Sequence, residues 1–113
     1  MHEVGIMEEA VRVAVETAKS SGASKVLRLR LRVGALSGVV PEALQFAFDV
    51  VCGDPMTREA QLEVESVAAS GWCSDCGLEF ECEDLIAECP RCRKVSGELR
   101  HGRELEIASV EIC

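Results

Sequence analysis

The pattern of apolar and polar residues predicts an amphipathic helix close to the N-terminus. From Met7 to Ala18, apolar residues recur at every third or fourth position. Two glutamates stand early in this stretch, Lys19 stands late and Gly22 lies just beyond, as expected for the two ends of a helix. One face of this helix is therefore expected to be buried.

A second helix is predicted for residues 41–51. Pro41 suits the first helical turn because its missing N–H is not needed there, and Gly53 can end the helix. Because apolar residues surround most of its circumference, we expect this helix to be largely buried. These residues are Leu44, Phe46, Ala47, Phe48, Val50 and Val51.

Three segments alternate with the period of two that is typical of strands. In residues 26–34, leucine and valine alternate with arginines, whereas residues 61–67 and 104–112 alternate apolar residues with glutamates. The arginines and glutamates are expected to pair across one exposed face of a sheet. The alternation of the last segment changes phase near Ala108, which a bulge or burial of both faces would explain.

Residues 69–103 differ from the rest of the chain. They are rich in glycine, glutamate and cysteine, show no helical period and contain few apolar residues. We therefore expect a metal-binding lobe here, inserted into an α/β domain. That domain would comprise residues 1–68 and be completed by the last strand, residues 104–113.

Four of the seven cysteines form a pattern typical of a zinc site. Cys73 and Cys76 make one CxxC knuckle, and Cys89 and Cys92 make a second after an intervening hairpin. Each knuckle can direct two sulfurs at one ion, so the pair completes the tetrahedron that Zn²⁺ takes with thiolates. Because such a site is closed, the zinc is expected to be structural and the protein not to be an enzyme.

Other interpretations of the cysteines remain open. A redox dithiol needs only one CxxC pair, and a rubredoxin-like iron site has related ligands. Cys82 lies within the hairpin and is treated as a spare thiol. Cys52 is expected to be a small core residue, and Cys113 to be exposed and open to oxidation.

Composition and charge restrict the classes of partner. The 113 residues carry a net charge of −8, and residues 71–103 hold five basic against seven acidic residues, which opposes binding to nucleic acid. No apolar stretch is long enough for membrane insertion, and no signal peptide is predicted. We therefore expect a cytoplasmic protein whose cysteines bind metal rather than form disulfides.

The chain opens with Met1-His2-Glu3, which offers nitrogen ligands of an unusual kind. The Met1 amine, the His2 backbone nitrogen and the His2 imidazole can form fused chelate rings around one ion. Three nitrogens in a plane favour square-planar Ni²⁺ or Cu²⁺ over Zn²⁺. A histidine near a terminus is otherwise a solvated side chain.

With these motifs in order along the chain, the sequence resembles the HypA family of hydrogenase nickel-incorporation proteins. The resemblance rests on Met1-His2-Glu3, Val26–Gly34, Val40–Leu44, Phe46–Asp49, Leu62–Glu65, both knuckles and Gly102–Leu105. Two departures affect loops: Arg58-Glu59-Ala60 replaces Glu-Gly-Ala before the second strand, and Arg93 stands where the second knuckle commonly has glycine.

The resemblance implies a chaperone that carries Ni²⁺ as transient cargo toward the large subunit of [NiFe]-hydrogenase, together with a HypB-type GTPase; similar proteins also serve urease. Carried over by position, the nickel residues are Met1, His2 and Glu3. His101, where the lobe returns to the sheet, is either a solvated hinge residue or a fourth nitrogen ligand. The zinc ligands are Cys73, Cys76, Cys89 and Cys92.

We therefore predict an α+β fold with two helices on a three-stranded mixed sheet and an inserted zinc-hairpin, resembling a zinc ribbon. The predicted function is nickel binding at the N-terminus and delivery for hydrogenase maturation. A zinc-ribbon module for protein interaction or regulation, without nickel function, is the alternative, and a thiol-based redox enzyme is a second.

Overall fold

The computed structural model describes residues 2–83 and 86–113 of the chain. Its elements are α1 (Glu3–Ser20), β1 (Val26–Gly34), α2 (Pro41–Val51), a 3₁₀ turn (Pro55–Thr57), β2 (Gln61–Val67), β3 (Ser70–Cys73), β4 (Leu78–Glu81), β5 (Ala87–Glu88), β6 (Val95–Ser96), β7 (Leu99–His101) and β8 (Leu105–Ile112). The chain divides into two compact units. The first comprises Met1–Arg32, Val39–Glu65 and Glu106–Cys113, and the second comprises Val33–Gly38 and Ser66–Leu105.

Helix α1 has the predicted amphipathic pattern but begins at Glu3, before the periodic stretch. Its buried residues recur at helical spacing on one face: Met7, Ala10, Val11, Ala14 and Ala18. After the helix ends, Gly22 adopts a φ of 74°, a left-handed conformation that glycine takes readily. The N-terminal segment is thus helical almost from its first residue.

Helix α2 has the predicted bounds, but the prediction that it is largely buried is wrong. Leu44, Ala47 and Phe48 are buried, whereas Phe46 is 71% exposed and Val50 is 62% exposed. The buried residues share one face at spacings of three and four, and α2 packs against α1. Apolar residues on the remaining surface of α2 therefore stay in solvent.

Strands β2, β1 and β8 form a three-stranded sheet in that order. Between β1 and β2, Arg30 pairs with Glu63 at 3.2 Å and Arg32 pairs with Glu65 at 3.6 Å. Because the paired residues advance together along both strands, β1 and β2 are parallel. The long connection through α2 is what a parallel pair requires.

Strand β8 runs antiparallel to β1. Lys25 exchanges backbone hydrogen bonds with Cys113, and the Gly34 N–H donates to the Glu104 carbonyl at 2.7 Å. Lys25 and Gly34 are separated by as many residues as Glu104 and Cys113 are, so neither strand has an inserted residue between these pairs. The change of phase is therefore not caused by a bulge, and Ile107 and Val110, which lie on opposite faces of β8, are both half-buried. The predicted mixed sheet is confirmed.

The predicted ladder of charges is also present on this sheet. Its members are half-exposed and come from all three strands: Arg28, Arg30 and Arg32 with Glu63, Glu65, Glu106 and Glu111. The shortest contact joins Arg32 Nη1 to Glu106 Oε1 at 2.8 Å. Exposed pairs of this kind each contribute at most about 1 kcal/mol, so the ladder specifies register more than stability.

The second unit contains two small sheets. One has the order β4-β3-β7 and the other is the β5-β6 pair. Their core is a cluster of Cys73, Phe80, Ala87 and Cys89, all buried. With so few apolar residues, a unit of this size needs an additional stabilising element such as a metal ion.

Across residues 2–83 and 86–113, no helix combines the length and apolar character needed to cross a membrane.

Candidate metal centres

The structure gathers the four predicted zinc cysteines at one place in the second unit. The sulfur atoms of Cys73, Cys76, Cys89 and Cys92 all lie within 4.8 Å of one another, and Cys73 Sγ lies 3.6 Å from Cys92 Sγ. In a tetrahedral site with Zn–S bonds of about 2.3 Å, neighbouring sulfurs are about 3.8 Å apart. The arrangement therefore fits structural Zn²⁺.

The pKa values of two of these thiols are shifted in opposite directions. The backbone N–H groups of Cys92 and Arg91 lower the pKa of the Cys89 thiol to about 7. Burial and the neighbouring sulfurs raise the pKa of Cys76 to about 12. One sulfur is thus readily ionised, and a cation is needed to hold all four as thiolates, which is what a zinc ion supplies.

The remaining cysteines do not contribute sulfur atoms to this cluster, as the spacing predicts. Cys82 is half-buried and packs against the apolar core of the second unit, but it is not one of the four gathered sulfurs. Cys52 is half-buried at the end of α2, where burial raises the pKa of its thiol. Cys113 is exposed, as expected.

His2 and Glu3 lie at the start of α1 in the first unit. His2 is the N-cap residue and is exposed, and its backbone carbonyl accepts a hydrogen bond from the Ile6 N–H at 3.1 Å. A cavity of about 610 Å³ opens beside it, lined by His2, Glu3, Val4, Gly5, Ala43 and Phe46. Met1, the other predicted nickel residue of the terminus, lies outside the described residues.

His101 lies at the end of β7 in the second unit, opposite Ser70 of β3. Its Nδ1 is 2.9 Å from Oε2 of Glu104, whose Oε1 accepts a hydrogen bond from the Gly102 N–H at 2.7 Å. Burial acts to raise the pKa of Glu104, but these hydrogen bonds outweigh it and lower that pKa below its ordinary value. Glu104 belongs to the Gly102–Leu105 segment of the resemblance, but no site role was predicted for it from the sequence.

Comparison with known proteins identifies one family. The family described as "Hydrogenase/urease nickel incorporation, metallochaperone, hypA" matches residues 1–112. The hydrogenase maturation factor HypA of Picosynechococcus sp. is 44% identical over 112 residues, covering 99% of each chain. The HypA of Rhizobium leguminosarum bv. viciae is 38% identical with the same coverage.

Two solved structures have the same fold. A HypA solution structure matches with a TM-score of 0.76 at 23% identity, covering 100% of this chain and 97% of the other. The nickel metallochaperone HypA of Helicobacter pylori matches with a TM-score of 0.68 at 22% identity, covering 99% and 97%. At these low identities the two solved structures show only a shared fold. The family match and the more similar sequence relatives show common descent. The chain therefore belongs to the HypA family of hydrogenase and urease nickel-incorporation metallochaperones.

Proposed function

We propose that this protein binds Ni²⁺ at its N-terminus and delivers it for the maturation of [NiFe]-hydrogenase, with Zn²⁺ held by Cys73, Cys76, Cys89 and Cys92. The family match over residues 1–112 carries the proposal. In this proposal the terminal nickel residues belong to the predicted α/β domain, residues 1–68 with 104–113, and the zinc cysteines belong to the predicted lobe, residues 69–103. The protein is a carrier and not an enzyme.

The nickel ligands we assign are the amine of Met1 with the backbone nitrogen and imidazole of His2, assisted by Glu3. The position of His2 at the start of α1 supports this assignment, because the first backbone N–H groups of a helix have no acceptor within the helix. The His2 nitrogen is therefore not committed to the α1 ladder. Three nitrogens in one plane favour Ni²⁺ over Zn²⁺, which separates the cargo from the structural ion.

We also propose His101 as a nickel ligand. It is the only other histidine of the sequence, and its side chain is 53% exposed. A neutral imidazole is a suitable nitrogen donor for Ni²⁺. A solvated hinge residue remains the competing role for this side chain.

Transfer requires partners that can reach the metal. A HypB-type GTPase and the large subunit of [NiFe]-hydrogenase are the partners we propose, with urease maturation as a related use and the cytoplasm as the place of action. The cavity beside His2 and the exposed Phe46 on its rim support docking next to the cargo. An exposed site with few ligands also permits release by stepwise ligand exchange.

Extension of the chain tests the proposed site directly. Adding two residues before Met1 converts its amine into an amide and breaks the fused chelate, while the core and the cysteines are untouched. Calorimetric Ni²⁺ binding should be lost in the extended protein and in His2→Ala, with zinc content and helical signal unchanged. The matched control adds the same two residues after Cys113 and should bind nickel normally.

Two results would contradict the proposal. If the N-terminally extended protein binds Ni²⁺ as tightly as the native one, the terminal site is wrong. If the native protein binds one Zn²⁺ and no Ni²⁺, the chain acts as a zinc-ribbon interaction module instead. A reversible disulfide between two of the zinc cysteines in the zinc-loaded protein would favour the redox interpretation.

A further inference from the structure

The contacts of Glu104 determine which nitrogen of His101 carries a proton. Oε1 of Glu104 accepts from the Gly102 N–H at 2.7 Å, and Oε2 lies 2.9 Å from His101 Nδ1. A carboxylate only accepts hydrogen bonds, so Nδ1 must be the donor. In the neutral ring the lone pair is then on Nε2. The Glu104 side chain is 18% exposed, whereas that of His101 is 53% exposed.

The backbone around Glu104 is held by a neighbouring segment of the same unit. The Gly34 N–H donates to the Glu104 carbonyl at 2.7 Å, and the Leu36 N–H donates to the Gly102 carbonyl at 2.6 Å. A Cβ on Gly34 would lie 2.2 Å from the carbonyl atoms of Gly102, so the two backbones touch. These hydrogen bonds and this close packing fix the turn that carries Glu104.

We infer that Glu104 is a positioning residue that holds His101 in the tautomer whose Nε2 is free to bind Ni²⁺. Histidines that bind metals generally donate their other N–H to a carboxylate or carbonyl, which orients the ring and raises its basicity. The His101–Glu104 pair already has this arrangement. The inference rests on the proposed function, because that function supplies the assignment of His101 to nickel.

The substitution Glu104→Gln tests the tautomer without changing the shape of the side chain. A glutamine can still accept from the Gly102 N–H through its oxygen, but its NH₂ group then faces Nδ1 and donates to it. The proton of the neutral ring must move to Nε2, which removes the lone pair that would bind nickel. A merely structural role for Glu104 does not predict this change.

Long-range ¹H–¹⁵N NMR correlations distinguish the two tautomers in the zinc-loaded full chain without nickel, at a pH where the ring is neutral. In a His2→Ala background only His101 contributes. We expect the Nδ1–H form in this background and the Nε2–H form once Glu104→Gln is added. Glu106→Gln is the matched control and should keep the Nδ1–H form, because Glu106 pairs with Arg32. An Nδ1–H ring in the Glu104→Gln protein would overturn the inference.

Calorimetry with Ni²⁺ on the zinc-loaded chain with its native N-terminus gives a second readout. Glu104→Gln should weaken nickel binding about 10–100-fold, and it should cause no further loss in a His101→Ala background. Equal affinity of the Glu104→Gln and native proteins would overturn the inference. By contrast, a His2→Ala protein that binds nickel like the native one would contradict the N-terminal site alone, since the tautomer of His101 is measured independently.

Discussion

Gly77 and Arg93 occupy equivalent positions in the two knuckles and share one backbone conformation. Their φ angles are 64° and 65°. Each donates its backbone N–H to the carbonyl of the first cysteine in its knuckle, Gly77 to Cys73 at 2.8 Å and Arg93 to Cys89 at 2.9 Å. Both turns thus need a left-handed residue, but only one has the glycine that adopts it without strain.

This asymmetry predicts opposite effects of two substitutions. A left-handed residue with a Cβ costs about 1 kcal/mol, so Gly77→Ala should destabilise the zinc-loaded second unit by about that amount. Arg93→Gly should be neutral or stabilising by up to about 1 kcal/mol, because relief of strain is partly offset by the greater freedom of unfolded glycine. Denaturant unfolding followed by Trp72 fluorescence at fixed free zinc measures both.

Gly97→Ala is the matched control within the same unit. A Cβ there meets no atom within 4 Å, and Gly97 is not among the residues with positive φ, so stability should change little. A Gly77→Ala protein as stable as the native one would contradict the proposed strain.

Zinc ligation predicts a clear difference between cysteines. Replacing Cys73 or Cys92 by alanine should abolish tight zinc binding, because metal-binding energy is folding energy in so small a unit. Cys113→Ala should retain the full complement, since that residue is exposed and outside the cluster. Native mass spectrometry under reducing conditions counts the zinc. Full retention in two single variants of the four clustered cysteines would exclude the assignment.

Removal of zinc should affect the two units differently. Trp72 lies next to Cys73 and stacks with Arg100, whose guanidinium carbon is 4.4 Å from the ring centroid, so its fluorescence should change when a chelator removes the ion. Both helices belong to the first unit, so the helical circular dichroism should be largely kept. Added Zn²⁺, but not Mg²⁺, should restore the fluorescence. Loss of most helical signal would show that the first unit depends on zinc.

Much of the fold is predictable because its signals are local. The period of two in residues 26–34 and the proline in the first turn of α2 locate elements whose observed bounds agree closely with prediction. The two CxxC pairs similarly predict that the four sulfurs gather at one place, because this spacing is typical of tetrahedral zinc sites. The burial of α2 was predicted wrongly because periodicity does not tell how many neighbours a helix has, and Phe46 stays in solvent.

The features that could not be predicted depend on contacts between distant segments. The turn that holds Glu104 against His101 requires Gly34, far away in sequence, to approach the backbone of Gly102. No spacing rule connects these positions. Likewise, only the observed φ of Arg93 shows that the second knuckle has the same left-handed turn as the first, although an arginine stands at the position that Gly77 has in the first.

Close packing beside the zinc cluster predicts a further destabilising substitution. A Cβ on Gly71 would lie 2.7 Å from the Ala87 Cβ and 2.9 Å from Cζ of Phe80, both in the buried core of the second unit. Gly71→Ala should therefore destabilise the zinc-loaded unit by about 1–3 kcal/mol through overpacking. The cost should fall when Ala87→Gly is added, because that change removes the nearest opposing atom, and the two effects should not be additive.

Denaturant unfolding of the single and double variants at equal free zinc measures this coupling. Gly53→Ala, which meets no atom within 4 Å, serves as the control, and strictly additive effects at 71 and 87 would contradict the contact.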